Sequence, residues 1–197
     1  MKRRHFLAST AAIITTSQMG YAHSAAELDL LIGPSVVPPD FLPREVEYPE
    51  ATTPGEIHVD PNQFALFWTL PDSRAIRYTV GIGREGLYES GEFYVAFKRK
   101  WPRWTPTPDM IARDPDRYLQ FSEGVPGGLE NPLGARALYL FQPERGDTYL
   151  RIHGTTDPLS IGRRVSNGCA RLTNNQIVEL YEQVPLKTPV FLKPIIA

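Results

Sequence analysis

The sequence predicts a mainly β domain, sandwich-like or barrel-like, over about residues 55–197. The chain has 19 prolines among 197 residues, and proline lacks the N–H that a helix interior needs. Short runs of strand-forming residues recur between turn residues, as in antiparallel sheets. One stretch near the C-terminus has clear helical periodicity. These observations predict a sheet-rich fold with one main helix.

Three consecutive strands open the predicted domain. Their runs are residues 57–59, 63–70 and 74–83. The turn residues Asp60-Pro61-Asn62 and Pro71-Asp72-Ser73 separate them, and apolar residues alternate through the third run. We expect these strands to pair as hairpins.

Later strands and the helix follow from the same signals. Strands are predicted at residues 93–97, 137–141, 149–153 and 189–192. Thr107 followed by Pro108 favours one helical turn over residues 108–113. The main helix is predicted over residues 174–183, because Thr173 or Asn174 can cap it and Pro185 ends its apolar stripe.

The N-terminus has the layout of an export signal. Residues 1–24 combine three early basic residues, a weakly apolar run and small residues before Ala25. The pair Arg3-Arg4 resembles a twin-arginine signal, and an ordinary secretory signal is the alternative. The apolar run is too short and too polar to span a bilayer. Either route predicts a mature protein outside the cytoplasm, in the periplasm or cell envelope.

The remaining segment and the net charge narrow the class of protein. Residues 25–54 are rich in proline and are expected to form a lead-in that wraps or tethers. Without residues 1–24 the chain has 18 basic and 22 acidic residues, a net charge near −4. Such a charge argues against nucleic-acid binding.

One segment carries the candidate chemistry. Cys169 is the only cysteine of the chain, and His153 lies at the end of a predicted strand. A histidine within hydrogen-bond reach can take the proton of a thiol, which attacks as thiolate. A small buried cysteine and a turn histidine are the alternatives. The available ligands are too few for a zinc site, so no metal is expected.

The residues around Cys169 suit acyl transfer. Ser166, Asn167 and Gly168 precede it, and the amides of Asn167, Gly168 and Cys169 could bind a developing oxyanion. Arg171 lies two residues further on and could bind a carboxylate.

Several segments of the sequence, the one around His153 and Cys169 among them, resemble the L,D-transpeptidase catalytic domain, also called the YkuD domain, over roughly residues 55–197. The resemblance rests on His-Gly-Thr at 153–155, Ile-Gly at 161–162 and Ser-Asn-Gly-Cys-Ala-Arg-Leu at 166–172. Residues 80–86, 101–108 and 131–137 also resemble that family.

The resemblance implies a fold, a mechanism and a substrate. Cys169 would be the nucleophile and His153 the base, oriented by a backbone carbonyl such as that of Gly154. Ser166 and Gly168 would shape the turn, and Arg171 would support the site or the substrate. The donor would be a tetrapeptide stem of peptidoglycan, the acceptor an amine of another stem, and the product a 3→3 cross-link. No cofactor is implied, and carbapenems acylate the same cysteine in related enzymes.

Other outcomes remain open at this stage. The same thioester could pass to water, to a D-amino acid or to a lysine of an envelope protein, and a wall-binding module without turnover is a further alternative. The sequence departs from the family at Ala170, where isoleucine or valine is usual, and at Gln176, where aspartate is common. Asn167 stands where histidine is frequent.

Overall fold

The computed structural model describes residues 24–34, 36–50 and 53–196 of the chain. The predicted export signal lies outside the described residues, except for Ser24. Among the described residues, no helix is long and apolar enough to cross a membrane.

The described residues form a mainly β fold, which confirms the predicted class. The strands are β1 (Arg44–Glu47), β2 (Ile57–Asp60), β3 (Ala65–Leu70), β4 (Arg74–Thr79), β5 (Ile82–Gly83), β6 (Gly91–Lys100), β7 (Arg136–Gln142), β8 (Gly146–His153), β9 (Arg164–Ser166), β10 (Ala170–Arg171) and β11 (Pro189–Leu192). The α-helices are α1 (Ala25–Leu30), α2 (Pro108–Arg113), α3 (Pro115–Tyr118) and α4 (Asn174–Gln183). Short 3₁₀ turns occur at Pro39–Phe41, Leu119–Phe121 and Pro158–Ser160.

Nine strands form one sheet in the order β1-β4-β3-β2-β11-β6-β7-β8-β10. The strands β2, β3 and β4 pair antiparallel in sequence, as the turn residues predicted. The strands β5 and β9 form a separate parallel pair. Gly81 and Arg171 exchange backbone hydrogen bonds of 3.0 and 2.7 Å, which link the β10 edge to the chain just after β4. This link gives the sheet a barrel-like closure.

The main core lies between the inner face of the sheet and α4. Ile177 and Leu180 of α4 are fully buried against Leu138 and Ile152 of β7 and β8. The Thr173 side chain caps α4 and Pro185 follows its end, as the sequence predicted. Leu138 and Ile152 alternate with Tyr139 and His153, so those two side chains lie on the opposite face of the sheet.

The segment of residues 25–54 is folded in part onto the domain. It contains α1 and β1, and β1 extends the large sheet by pairing antiparallel with β4. The proline content of this segment predicted an irregular chain. The alternation over residues 44–47 is too short for the sequence to have predicted the strand β1. Asp29 of α1 accepts hydrogen bonds from Trp101 and Arg136, which lie far along the chain, and these bonds fix α1 on the domain.

Candidate active site

A cavity of about 790 Å³ lies on the outer face of β7 and β8. It is covered by the chain between β6 and β7, residues 101–135, which we call the lid segment. Both Cys169 and His153 line this cavity. The structure therefore brings the two predicted reactive side chains into one space.

His153 is held at the end of β8 by backbone pairing. It lies opposite Arg171 of the parallel strand β10, and the Leu172 N–H donates to the His153 carbonyl at 2.9 Å. Its ring Nδ1 lies 2.5 Å from the Gly154 carbonyl oxygen. Because a carbonyl only accepts, this contact requires the proton on Nδ1 and leaves Nε2 with a free lone pair in the neutral ring. Such a ring is ready to accept a proton.

The imidazole is neutral in its surroundings. Burial, together with the nearby guanidinium groups of Arg171 and Arg151, lowers the pKa of His153 to about 3, against the opposing carbonyls of Gly154 and Leu133. Desolvation and like charge both disfavour the charged form. At neutral pH the ring therefore carries no charge, and in the resting site its lowered pKa makes it a weak base.

The thiol of Cys169 is partly exposed toward the cavity. Its Sγ lies 3.8 Å from the carbonyl oxygen of Tyr149, as a weak S–H donor would. Burial raises the pKa of the Cys169 thiol, although Arg151 and Arg171 act in the opposite direction. The resting state is therefore a neutral thiol and a neutral imidazole that line the same cavity.

A bulge in β8 places that Tyr149 carbonyl. Residues 148–150 lie opposite Leu140 alone, because Tyr139 pairs with Arg151 and Phe141 pairs with Asp147. Tyr149 has a φ of 60°, in the left-handed region that a non-glycine residue rarely adopts. Bulges of this kind occur often beside active sites, where they re-aim a group.

Internal hydrogen bonds fix the turn of residues 166–169, which we call the cysteine loop. Ser166 Oγ donates to the Cys169 carbonyl at 2.6 Å and accepts from the Gly168 N–H at 3.2 Å. The Gly168 amide, one of the predicted oxyanion donors, is thus engaged in the resting structure. Gly168 has a φ of 122°, and a Cβ there would lie 2.9 Å from atoms of Leu150 and Leu87.

Asn167 connects the cysteine loop to two other segments. Its Oδ1 accepts from Arg84 at 2.8 Å and from Arg113 of α2 at 2.9 Å, and its Nδ2 donates to the Tyr118 hydroxyl of α3 at 2.8 Å. The sequence suggested only an oxyanion role for this residue. The structure shows that its side chain holds the lid segment.

Gln176 and Ala170 fit their places without the residues usual in the family. Gln176 completes a capping box, since its Oε1 accepts from the Thr173 N–H at 3.3 Å. Its Nε2 donates to the Phe41 carbonyl at 3.0 Å, which an aspartate could not do. Ala170 is buried in the main core.

Several cavity residues were not identified from the sequence. Besides Arg171, five arginines line the cavity: Arg103, Arg113, Arg117, Arg145 and Arg151. Arg113 and Arg117 are four residues apart, and this spacing is the one sequence signal that could have indicated that both face the same cavity. Among the described residues, no group of three or more histidine, cysteine or acidic residues could hold a metal ion.

Comparison with known proteins identifies relatives of this chain. Residues 54–192 match the family model described as the YkuD L,D-transpeptidase catalytic domain. The chain is 34% identical to the probable L,D-transpeptidase ErfK/SrfK of Escherichia coli over 152 residues, which are 76% of this chain and 47% of that protein. The chain thus spans about half the length of the curated relatives it matches.

Solved structures give the same fold. A Brucella melitensis protein, described as a probable carnitine operon oxidoreductase, is 42% identical with a TM-score of 0.54, and the match covers 82% of this chain and 96% of that one. An Enterococcus faecium L,D-transpeptidase is 17% identical with a TM-score of 0.51, covering 72% of this chain and 50% of that one. At that identity the likeness concerns the fold alone.

Proposed function

This chain belongs to the L,D-transpeptidase catalytic domain family, and from that premise we propose that it is a peptidoglycan L,D-transpeptidase with Cys169 as nucleophile and His153 as general base. One observation carries the proposal. The thiol and the imidazole line the same cavity. His153 is the last residue of β8, and Cys169 directly precedes β10, which pairs parallel with β8. A nucleophile and a base held together by a sheet suit acyl transfer.

The first half of the reaction forms a thioester. Neutral His153 takes the thiol proton as the sulfur of Cys169 attacks the carbonyl of the diamino acid in a tetrapeptide stem. The carbonyl π electrons move to oxygen, and the amides of Asn167 and Cys169, the predicted donors that Ser166 Oγ does not engage, stabilise that charge. When the tetrahedral species collapses, the bond to the terminal D-alanine nitrogen breaks, and His153 returns the proton to the leaving amine.

The second half transfers the acyl group. An amine of a neighbouring stem attacks the thioester while His153 removes its proton. The C–S bond then breaks, and the proton passes to the sulfur. A 3→3 cross-link and free Cys169 result. Water, a D-amino acid or a lysine of an envelope protein would give hydrolysis, exchange or protein anchoring by the same thioester.

The proposed location follows from the N-terminal sequence. Residues 1–24 would direct export to the periplasm or cell envelope, where peptidoglycan is found, and would be removed there. Residues 25–54 would form the proline-rich lead-in and residues 55–197 the catalytic domain. No membrane span is expected after cleavage of the signal.

The test is a product assay. Protein spanning residues 25–197 would be incubated with disaccharide-tetrapeptides and the products identified by mass spectrometry. We expect 3→3 dimers from wild type and none from Cys169→Ser. Tripeptide monomers without dimers would indicate hydrolysis instead, and product formation by Cys169→Ser would refute the proposed nucleophile.

A second measurement examines the acyl-enzyme directly. Incubation with a carbapenem should add one drug mass to wild type and nothing to Cys169→Ser. If the drug does not react, a small thiol alkylator distinguishes an inert thiol from a cavity that excludes the drug. An unreactive thiol together with unchanged muropeptide binding would favour a wall-binding module without turnover.

A further inference from the structure

The cavity that contains Cys169 is strongly positive. Six arginines line it, against two acidic residues among the described part of the chain, Glu89 and Asp109. The mature chain as a whole is predicted to be acidic, with a net charge near −4. A cleft lined by one sign of charge concentrates the electric field and attracts ligands of the opposite sign.

Two of these arginines are neutralised within the fold. Arg145 forms an ion pair with Glu89 at the rim. Arg151 binds Asp147 through both carboxylate oxygens, at 2.7 and 2.8 Å, and lies over the Tyr139 ring at 4.1 Å. These two guanidinium groups are therefore fixed in structural contacts.

The other four are not paired with a carboxylate among the described residues. Arg103 and Arg113 donate to uncharged oxygens, the carbonyl of Glu123 and the amide of Asn167. Arg117 lies over the ring of Tyr118, 5.4 Å from its centroid. The Nε of Arg171 is buried and has no hydrogen-bond partner among the described residues. Four guanidinium groups outside any ion pair therefore face the cavity, against the single lining carboxylate of Asp109.

Holding like charges close together raises the electrostatic free energy of the site unless an anionic ligand neutralises them. Burial lowers the pKa of the Arg171 guanidinium, and repulsion by Arg117 adds a smaller effect in the same direction. The charges of Cys169, Asp157 and Tyr118 act in the opposite direction. A guanidinium presents paired N–H groups that match a carboxylate. Since Arg171 lies on β10 and Arg113 and Arg117 on the lid segment, the charges surround the cavity from two sides.

We infer that this cavity selects an acyl-donor peptide that carries a free carboxylate in addition to the one on its departing terminal residue. The inference rests on the proposed function and specifies its donor. Arg171, beside the reactive pair, would bind the carboxylate nearer the scissile bond. Arg113 and Arg117 would bind the second carboxylate from the lid. A donor in which this second carboxylate is amidated would lose that attraction.

The experiment compares two donors and three proteins. Tetrapeptide stems with the side-chain carboxylate of the diamino acid either free or amidated would be assayed with wild type, Arg117→Gln and Arg113→Gln. We expect wild type to prefer the free form in kcat/KM by roughly tenfold or more, the size expected for one charge-assisted hydrogen bond. Each variant should reduce this ratio mainly through KM of the free form. Arg99→Gln, on β6 outside the cavity, is the matched control and should keep the ratio.

A binding measurement separates this inference from the proposed function. The dissociation constants of both peptides would be measured by calorimetry with Cys169→Ser, which needs no turnover. Tighter binding of the free form, weakened by added salt, would support the inference even if no cross-linked product formed. Equal binding and equal kcat/KM for the two donors would overturn it. A preference that survived in both arginine variants would overturn the assignment to Arg113 and Arg117.

Discussion

Asp29 and Arg136 form a bidentate ion pair that ties helix α1 to both ends of the lid segment. The guanidinium nitrogens of Arg136 donate to the two carboxylate oxygens at 2.9 and 2.6 Å. One of these oxygens also accepts from the indole N–H of Trp101 at 2.8 Å. Trp101 begins the lid segment and Arg136 directly follows it, so one carboxylate of the N-terminal segment fixes the two bases of the lid.

The first prediction concerns stability. Arg136 is almost fully buried, at 2% side-chain exposure, whereas Asp29 is 32% exposed. Replacing Asp29 by Asn leaves a buried charge without its counterion, which costs roughly 3–5 kcal/mol in fully buried pairs. Because Asp29 is partly exposed, we expect Asp29→Asn to lower the free energy of unfolding by about 2 kcal/mol.

Urea denaturation would measure this loss as a lower midpoint at unchanged m-value. Asp40→Asn is the matched control, because no described residue forms an ion pair with Asp40. We expect the control to stay within about 0.5 kcal/mol of wild type. Equal stability of the two variants would contradict a structural role for the Asp29 pair.

Local patterns made much of the sheet predictable. The hairpin strands β2, β3 and β4 are separated by Pro-, Asp- and Asn-containing turns, and α4 has a cap, an apolar stripe and a terminating proline. Each of these signals lies within about ten residues of the element that it specifies. Most of the predicted boundaries therefore lie close to those in the structure.

The lid contacts could not be predicted in the same way. Asp29 and Arg136 are 107 residues apart in the chain, and Asn167 and Arg113 are 54 apart. Nothing local marks one aspartate or one asparagine as the partner of a distant arginine. The bulge at Tyr149 was missed for a similar reason, since its register is visible only once β7 and β8 are paired.

The second prediction concerns the lid and Asn167. Replacing Asn167 by Ala removes its hydrogen bonds to Arg113 and Tyr118 of the lid segment and to Arg84. We expect faster amide hydrogen exchange over residues 108–121 and a loss of roughly 1–2 kcal/mol of stability, since each net hydrogen bond contributes about 1 kcal/mol or less when partly exposed.

Asn167→Asp is the conservative comparison, because its carboxylate still accepts from both arginines. That variant should keep slow exchange over residues 108–121. A bulky maleimide should react faster with Cys169 in the alanine variant, by a larger factor than small iodoacetamide does. Unchanged exchange in Asn167→Ala would show that the lid is held by other contacts.

The third prediction concerns the backbone of the cysteine loop. Gly168→Ala forces a Cβ onto a φ of 122° and within 2.9 Å of both the Leu150 side chain and the Leu87 carbonyl oxygen. Positive φ alone costs on the order of 1–3 kcal/mol for a residue with a side chain, and the clash adds to it. We expect a loss of about 2 kcal/mol or more and a strong fall in Cys169 acylation.

Gly128→Ala provides the control for that substitution. No heavy atom lies within 4 Å of a Cβ at Gly128, apart from its chain neighbours, and its φ is not positive. Thermal unfolding of this variant should match wild type to within about 0.5 kcal/mol. If both alanine variants were equally stable and equally reactive, the cysteine loop would not need the glycine conformation that the structure shows.

The fourth prediction concerns the protonation state of the reactive pair. Burial raises the pKa of the Cys169 thiol, while burial and Arg171 lower the pKa of His153 to about 3. Both groups are therefore uncharged near neutral pH, and proton transfer must accompany attack on the substrate.

Because only thiolate reacts with iodoacetamide, the alkylation rate should rise about tenfold for each pH unit and continue to rise beyond pH 8.5, the pKa of a free thiol. A preformed thiolate–imidazolium pair would instead react at a constant rate from mildly acidic pH upward. Mass spectrometry of the Cys169 adduct at a series of pH values, with free cysteine as reference, distinguishes the two, and a plateau below pH 7 would show that the pair is charged at rest.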